Sequence, residues 1–303
     1  MRPPSENLGV LNAVRTRLVA LLVAVTAAAC LAASVSGVAG AAPAKTKPKI
    51  KVLMLGDSVG QGLATKGLQG NKRLDVVNAA TVNCFIAGGA PESYKDGIVI
   101  GNGCPDWRTE WPPLVQQNKP DVVIVFTSGW EIVDKWFADP PGVGLPNTIL
   151  EPAFQQRVAD AHKEAASLLS ATGAKVTFPT MQYIDPPHAY PEPPGVNGIS
   201  EIWWEAYGPD APPAGYQPPL PGQPFVGSKH KTDALNQVRL DLAKQGAINV
   251  FDLQKFVSPK GVYTDKIKGK PARDVDRSHF NDYGYKQITA WLVPQLEKLA
   301  NKK

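Results

Sequence analysis

Short apolar runs alternate with longer amphipathic segments from residue 50 to the C-terminus. The runs are rich in β-branched and aliphatic residues and are bounded by turn residues, which predicts strands. The run after Asp121 has no polar alternation, as is typical of a strand buried on both faces. Five strands are predicted in this way: Lys51–Leu55, Asp75–Thr81, Asp121–Phe126, Lys175–Phe178 and Ile248–Phe251.

Three longer segments have apolar positions three and four residues apart and predict helices over Phe154–Thr172, Thr232–Gln245 and Tyr283–Leu299. Gly173 ends the first, and Thr232 or Asp233 caps the second. Strands that alternate with helices predict an α/β fold in which helices cover both faces of a parallel sheet. Ligands of such folds bind at the carboxyl ends of the strands.

A proline-rich segment interrupts this alternation. Residues 184–226 contain twelve prolines, three tyrosines, Trp203 and Trp204. A loop of this length inside a compact domain is uncommon and often functional. We interpret it as an insertion at about 184–230, which either covers a binding site with its aromatic residues or serves only as a surface excursion.

The N-terminus has the pattern of an export signal. Arg15 and Arg17 precede an uncharged stretch, Leu18–Ala42, whose first part is strongly apolar and whose end consists of small residues. This predicts a signal peptide over residues 1–41, a linker over 42–49 and a folded domain over 50–303. An uncleaved N-terminal anchor is the alternative, because about 20 apolar residues can span a bilayer. In either case we expect the domain outside the cytoplasm, secreted or at the cell envelope.

Cleavage would change both the charge and the cysteine count. The whole chain carries a net charge of +5 and three cysteines, and residues 1–41 hold three arginines, one glutamate and Cys30. The mature domain would therefore carry +3 and retain Cys84 and Cys104. In an oxidising compartment these two are expected to form a disulfide that closes a loop of about 20 residues, worth roughly 3 kcal/mol. Two free buried thiols are the alternative.

Composition excludes several classes of protein. A hydrophobic content of 43% excludes an intrinsically disordered chain. The 32 basic residues face 27 acidic ones without a long basic run, so nucleic acid is not an expected partner. Three cysteines and four histidines without His-x-x-x-His spacing argue against a metal site, and no cofactor is expected.

Two short motifs carry candidate catalytic residues. Ser58 lies in a Gly-Asp-Ser turn directly after the first predicted strand, where its hydroxyl would reach the carboxyl edge of the sheet. Asp276-Arg277-Ser278-His279 precedes the last predicted helix. Histidine is the natural base for a serine nucleophile, and a carboxylate three residues earlier can turn back to the imidazole and fix its tautomer.

Together, the two motifs resemble those of the SGNH (GDSL-like) hydrolase family, and the resemblance spans about residues 50–300. It implies a three-layer α/β/α, flavodoxin-like fold with a central parallel sheet. It also implies a triad in which Ser58 attacks an ester carbonyl while Asp276 and His279 complete the proton relay.

The second and third sequence blocks of the family supply oxyanion donors, and here they depart from its pattern. Thr127-Ser128-Gly129-Trp130-Glu131 stands where the family has Gly-x-Asn-Asp, and the second block falls near Asn83-Cys84. The candidates for the oxyanion hole or for substrate binding are therefore Asn83, Gly129, Trp130 and Glu131. Losing one such donor costs about 3 kcal/mol unless another group replaces it.

These departures are similar to one branch of the family, the extracytoplasmic SGNH domain associated with acyltransferase-3 membrane proteins. The similarity rests on Cys84, the Cys-Pro-Asp-Trp segment at Cys104–Trp107 and the Gly-Trp-Glu at the end of the third strand. It implies a serine esterase or O-acyltransferase acting on acylated saccharides of the cell envelope, with a separate membrane acyltransferase as a candidate partner. A catalytically weak or inactive glycan-binding module is the alternative.

Overall fold

The computed structural model describes residues 48–91, 101–133, 135–137, 147–184 and 226–302. The predicted signal peptide or anchor, most of the linker and most of the proline-rich insertion lie outside these residues.

The centre of the fold is a parallel sheet of five strands, in the order β2-β1-β3-β4-β5. Its strands are β1 (Ile50–Gly56), β2 (Leu74–Asn78), β3 (Val122–Phe126), β4 (Lys175–Pro179) and β5 (Asn249–Phe251). All five strands predicted from the sequence are present. β2 ends at Asn78 rather than Thr81, because the Asn78 side chain accepts a hydrogen bond from the Ala80 N–H and turns the chain.

Alternate residues of the two central strands enter two separate apolar cores. Met54 and Ile124 lie in one core, and Leu53 and Val123 lie in the other. The first core is closed by the helices α1 (Ser58–Gly62, continued by a π-helical turn over Leu63–Leu68), α6 (Leu253–Val257) and α7 (Asp282–Ala300). The second is closed by α2 (Trp107–Asn118), α4 (Pro152–Leu169) and α5 (Val226–Lys244). The fold is therefore a three-layer α/β/α sandwich, as predicted.

All three predicted helices begin earlier than expected; the first starts at Pro152 and ends at Leu169, so Gly173 does not end it. The second starts at Val226, so neither Thr232 nor Asp233 caps it, and the predicted insertion ends before residue 226. The last begins at Asp282, with Asn281 as its N-cap accepting from the Gly284 N–H. Burial explains the difference in the second helix: Thr232 is fully buried within the helix, so a cap position at the protein surface is excluded.

Helix α2 was not predicted. Pro112 and Pro113 lie inside it, and each removes a backbone donor from the helix. The sequence of this segment therefore does not have the pattern of a helix. Its stability comes from one buried stripe, since Trp107, Trp111 and Val115 are four residues apart and all lie in the second core.

Gly56 fixes how closely the ends of β1 and β3 approach. Its φ is +113°, and a Cβ added there would lie 1.9 Å from the Phe126 carbonyl oxygen. The next residue, Asp57, donates its N–H to the same oxygen at 2.7 Å. A glycine is therefore required at the point where the chain turns from β1 into the segment that carries Ser58.

We expect Gly56→Ala to destabilise the fold by more than about 3 kcal/mol, because the clash with backbone adds to the cost of the positive φ. Gly70→Ala is the matched control: Gly70 also has a positive φ, +80°, but open space surrounds its Cβ position. The control should lose only about 1–2 kcal/mol. Urea denaturation measures both free energies of unfolding, and equal losses would contradict the close-approach argument.

Candidate active site

Ser58, His279 and Asp276 meet at the carboxyl edge of the sheet. Ser58 is the first residue of α1, and its Oγ lies 2.8 Å from His279 Nε2. His279 Nδ1 contacts Asp276 Oδ2. The acceptor at Nδ1 assigns the proton to that nitrogen, so Nε2 accepts from the serine hydroxyl. These contacts form one continuous chain of hydrogen bonds from hydroxyl to carboxylate.

The Asp276–His279 turn is held by its own backbone and by one buried arginine. Asp276 Oδ1 accepts from the Ser278 and His279 N–H groups, at 3.0 and 2.9 Å. Arg273 donates to the Ser278 carbonyl at 3.0 Å and to the Tyr183 carbonyl at 2.9 Å. Arg273 therefore ties the turn that carries the histidine to the segment that follows β4.

The turn also sets the proton affinities of the pair. The hydrogen bond to Asp276 raises the pKa of His279 and outweighs the lowering by burial, and the charges of Asp57 and Asp274 add to the rise. For Asp276, burial by itself would raise the pKa, but hydrogen bonds from His279 and from backbone N–H groups lower it overall. The carboxylate is thus ionised at neutral pH and stabilises an imidazolium.

A fully buried carboxylate, that of Asp57, directly precedes the nucleophile in the chain. Asp57 caps α1 by accepting from the Val59 N–H at 3.0 Å and the Gly60 N–H at 3.4 Å. Its other oxygen accepts from the Ser128 hydroxyl at the end of β3. Burial raises the pKa of Asp57 to about 6, although these hydrogen bonds oppose the rise. Neither Asp57 nor Ser128 is among the site residues predicted from the sequence, since the Gly-Asp-Ser motif contains Asp57 but does not indicate its partner.

The four oxyanion or substrate-binding candidates fall into two groups. Asn83, Gly129 and Trp130 are half-buried and lie on the segments that follow β2 and β3, the two neighbours of β1. No hydrogen bond joins them to Ser58 within the described ranges. Glu131, in contrast, is fully buried, and its carboxylate accepts from the Ile86 and Ala87 N–H groups. Its side chain therefore faces the protein interior rather than the cleft.

Asn83 and Trp130 have features suited to the mouth of a site. Asn83 has a φ of +58°, a left-handed conformation that asparagine tolerates better than most residues. Two residues earlier, the Thr81 N–H donates to the Gly56 carbonyl at 2.8 Å, which holds this loop beside the Ser58 turn. Trp130 belongs to a one-turn helix, α3 (Gly129–Ile132), and its indole N–H has no hydrogen-bond partner in the part of the chain that the structure describes.

A buried cluster supports the ends of β3 and β4. Arg239 of α5 donates to the carbonyls of Thr127 and Pro179, both at 2.8 Å, and to His162 Nε2 at 3.1 Å. His162 Nδ1 donates to the Val158 carbonyl at 2.8 Å, and burial lowers the pKa of this histidine to about 4. His162 is thus neutral and serves as an acceptor. No local pattern marked Arg239, because its partners lie 60 to 112 residues away in sequence.

Cys84 and Cys104 form a disulfide with an S–S distance of 2.00 Å, as expected. It joins the loop after β2 to the segment that leads into α2, close to Asn83. Among the described residues, no helix is long and apolar enough to cross a membrane.

No protein-family model matches the sequence, and no curated protein matches it. Similar solved structures are found at low identity. TesA is 17% identical with a TM-score of 0.42, and the match covers 82% of this chain and 99% of TesA. A protein from Agrobacterium tumefaciens with a provisional assignment as an arylesterase is 13% identical with a TM-score of 0.45, covering 82% and 99%. LAE5, an α/β hydrolase from the metagenome of Lake Arreo, is also 13% identical with a TM-score of 0.45, covering 85% and 99%.

If Ser58 is a nucleophile, ester hydrolysis should rise with pH through an acidic limb whose midpoint lies above the ordinary pKa of histidine. The sign follows from the raised pKa of His279, since only the neutral imidazole can accept the serine proton. Asp276→Asn removes the largest raising contact, so the midpoint should fall while the maximal rate drops by roughly 10⁴.

The midpoint is measured from the pH dependence of kcat/KM for an aryl acetate. Asp274→Asn is the matched control, because its charge acts on His279 only at longer range. It should move the midpoint slightly in the same direction with little loss of rate. A profile that does not respond to Asp276→Asn would remove the pair from the mechanism.

Proposed function

We propose that this chain is a secreted serine esterase or O-acyltransferase that acts on acyl esters, principally acetyl esters, of cell-envelope carbohydrate. One observation carries the chemistry: the unbroken hydrogen-bond chain from the Ser58 hydroxyl through His279 to Asp276. A half-exposed serine joined to a histidine of raised pKa has the arrangement of an activated nucleophile.

The reaction proceeds through an acyl-enzyme. His279 Nε2 takes the hydroxyl proton as Ser58 Oγ forms a bond to the ester carbonyl carbon. Asp276 stabilises the resulting imidazolium, and the tetrahedral intermediate collapses as the imidazolium gives its proton to the departing alkoxide. Water or a carbohydrate hydroxyl then attacks the acyl-serine with His279 as base, which yields the free acid or a new ester and restores Ser58.

The oxyanion of the intermediate needs donors at the same edge of the sheet. The Ser58 N–H is available, because Asp57 accepts from Val59 and Gly60 but leaves Ser58 without a partner in the described ranges. The backbone at Asn83 and Gly129 offers further N–H groups on the two neighbouring segments. Two or three converging N–H groups would compensate for the absence of the asparagine that the family places after the third strand.

Carbohydrate as the acyl carrier is favoured by the resemblance to acyltransferase-associated domains and by Trp130, whose half-buried ring suits stacking on a sugar. The disulfide is consistent with a protein that functions in an oxidising compartment. In the transferase version, a separate membrane acyltransferase would supply the acyl group to Ser58. The rival function is a glycan-binding module that keeps the fold without turnover, and the missing asparagine donor is the observation that favours it.

A fluorophosphonate probe should label the folded protein at Ser58, and Ser58→Ala should abolish the labelling. His279→Ala should lower both the labelling rate and aryl-acetate turnover by roughly 10³-fold or more, because the serine loses its base. Circular dichroism verifies that the variants remain folded. Wild-type protein that is folded yet unlabelled would favour the binding module instead.

Trp130→Ala should raise KM for an O-acetylated oligosaccharide by about tenfold, as expected for a lost stacking contact, and leave KM for an aryl acetate unchanged. Trp130→Phe is the matched control, because it keeps an aromatic face, although a smaller one, and removes the indole N–H. Its kinetics on both substrates should stay near those of the wild type. A kcat lowered equally on both substrates by Trp130→Phe would instead assign the indole N–H to the oxyanion hole.

A further inference from the structure

The segment after the disulfide cysteine has backbone polar groups that are satisfied by side chains. The Phe85 N–H donates to Asn102 Oδ1 at 3.2 Å, and Asn102 Nδ2 donates to the Phe85 carbonyl at 2.8 Å. Trp107 Nε1 donates to the Ile86 carbonyl at 3.2 Å. The Ile86 and Ala87 N–H groups donate to the two oxygens of Glu131 at 3.0 and 2.9 Å. Because residues 85–87 belong to no strand, these side-chain contacts hold their backbone in position.

Glu131 is the one charged group among these partners, and it is fully buried. Burial by itself would raise the pKa of its carboxyl, but the charge of Lys135, the Ile86 N–H and the charge of Arg239 lower it overall. Lys135 is also fully buried; its ammonium donates to the Glu131 carbonyl at 3.1 Å and lies 4.4 Å from the centre of the Phe85 ring. The carboxylate is thus ionised, with cations nearby that offset the cost of burial.

The position of Glu131 in the chain connects this segment to the nucleophile. Glu131 lies on α3, three residues after Ser128, whose hydroxyl binds the buried Asp57. Asp57 directly precedes Ser58. On the other side, the segment that Glu131 holds begins two residues after Asn83, where the backbone offers an oxyanion donor. The short helix α3 and its N-cap residue, Ser128, therefore contact the loop after β2 and the Asp57 carboxylate, respectively.

We propose that Glu131 is a positioning residue of the active site. Its buried carboxylate binds the backbone of Ile86 and Ala87 and thereby sets the distance between Ser58 and the loop after β2 that carries Asn83 (the Asn83 loop). This inference rests on the proposed function, since it assumes that the Asn83 loop contributes to the oxyanion hole. Glu131 itself touches neither substrate nor reacting atoms. A carboxylate can accept from two adjacent N–H groups at once, whereas an amide presents a donor to one of them.

The test is Glu131→Gln, with kcat calculated per active site. Complete labelling by a fluorophosphonate counts the folded sites, so a loss of folded protein does not lower the calculated rate. We expect kcat per site for an aryl acetate to fall by roughly 10- to 100-fold, because a displaced oxyanion donor weakens transition-state binding. KM should stay within about threefold and the acidic limb of the pH profile should keep its midpoint, since ground-state binding and His279 are unaffected.

Glu110→Gln is the matched control. Glu110 is an exposed residue in the first turn of α2, so this variant should match the wild type in every measurement. Asn102→Ala releases the same segment at Phe85 from a partly exposed position, and it should lower kcat per site by about 3- to 10-fold without changing KM. If Glu131→Gln does not fold, Asn102→Ala decides the question.

Kinetics of both variants within twofold of the wild type per site, or a loss confined to KM, would overturn the positioning role. That result differs from failure of the proposed function, in which the wild-type protein itself is neither labelled at Ser58 nor active on esters.

Discussion

The close junction of β1 with β3 determines where the candidate active site can form. The Phe126 carbonyl lies against Gly56 so tightly that no side chain fits there, and it accepts the Asp57 N–H. In the protein interior, the carboxylate of the same Asp57 accepts from the hydroxyl of Ser128, two residues after Phe126. Because the order of connections in the sheet reverses at β1 and β3, this junction is also where an α/β sheet opens a crevice at its carboxyl edge. Ser58 is therefore held by backbone geometry before any side chain of the triad contributes.

The parts of this arrangement that depend on local pattern could be predicted from the sequence. Val122–Phe126 has the composition of a doubly buried strand, and Asp276 and His279 are close enough in sequence for their contact to be inferred from spacing. The contacts that sequence reasoning missed join distant residues: Ser128 to Asp57, and Arg239 to Thr127. A glutamate at the end of a strand usually faces solvent, so the burial of Glu131 follows only from the cations and N–H groups that the fold brings to it.

The carboxyl edge of the sheet contains several buried charged side chains. Moving such groups out of water costs free energy, so the contacts that they make indicate their role. Asp57, Glu131, Lys135, Arg239 and Arg273 are all buried, in addition to uncharged polar residues of the same region such as Thr127 and Ser128. Replacing such groups with packed hydrophobic residues is often neutral or stabilising, so buried charge is weak support for stability. Their hydrogen bonds go instead to the ends of β3 and β4, to the turn that holds His279 and to the loop after β2. Burial of these groups therefore lowers the stability of the fold but fixes the positions of the loops that surround Ser58.

The histidine turn is joined to the rest of the site differently from the serine. Ser58 continues directly from β1, whereas His279 lies 221 residues further along the chain and reaches Ser58 across the edge of the sheet. Arg273 fixes the position of the turn that carries His279, because its guanidinium binds both the Ser278 carbonyl and the Tyr183 carbonyl. Tyr183 stands just where the chain enters the proline-rich segment. A shift of the backbone at Tyr183 would therefore act through Arg273 on the turn that orients His279, while Ser58 and its supports would stay in place. The proton relay, rather than the nucleophile, is therefore the part of this site that Arg273 joins to the backbone at Tyr183.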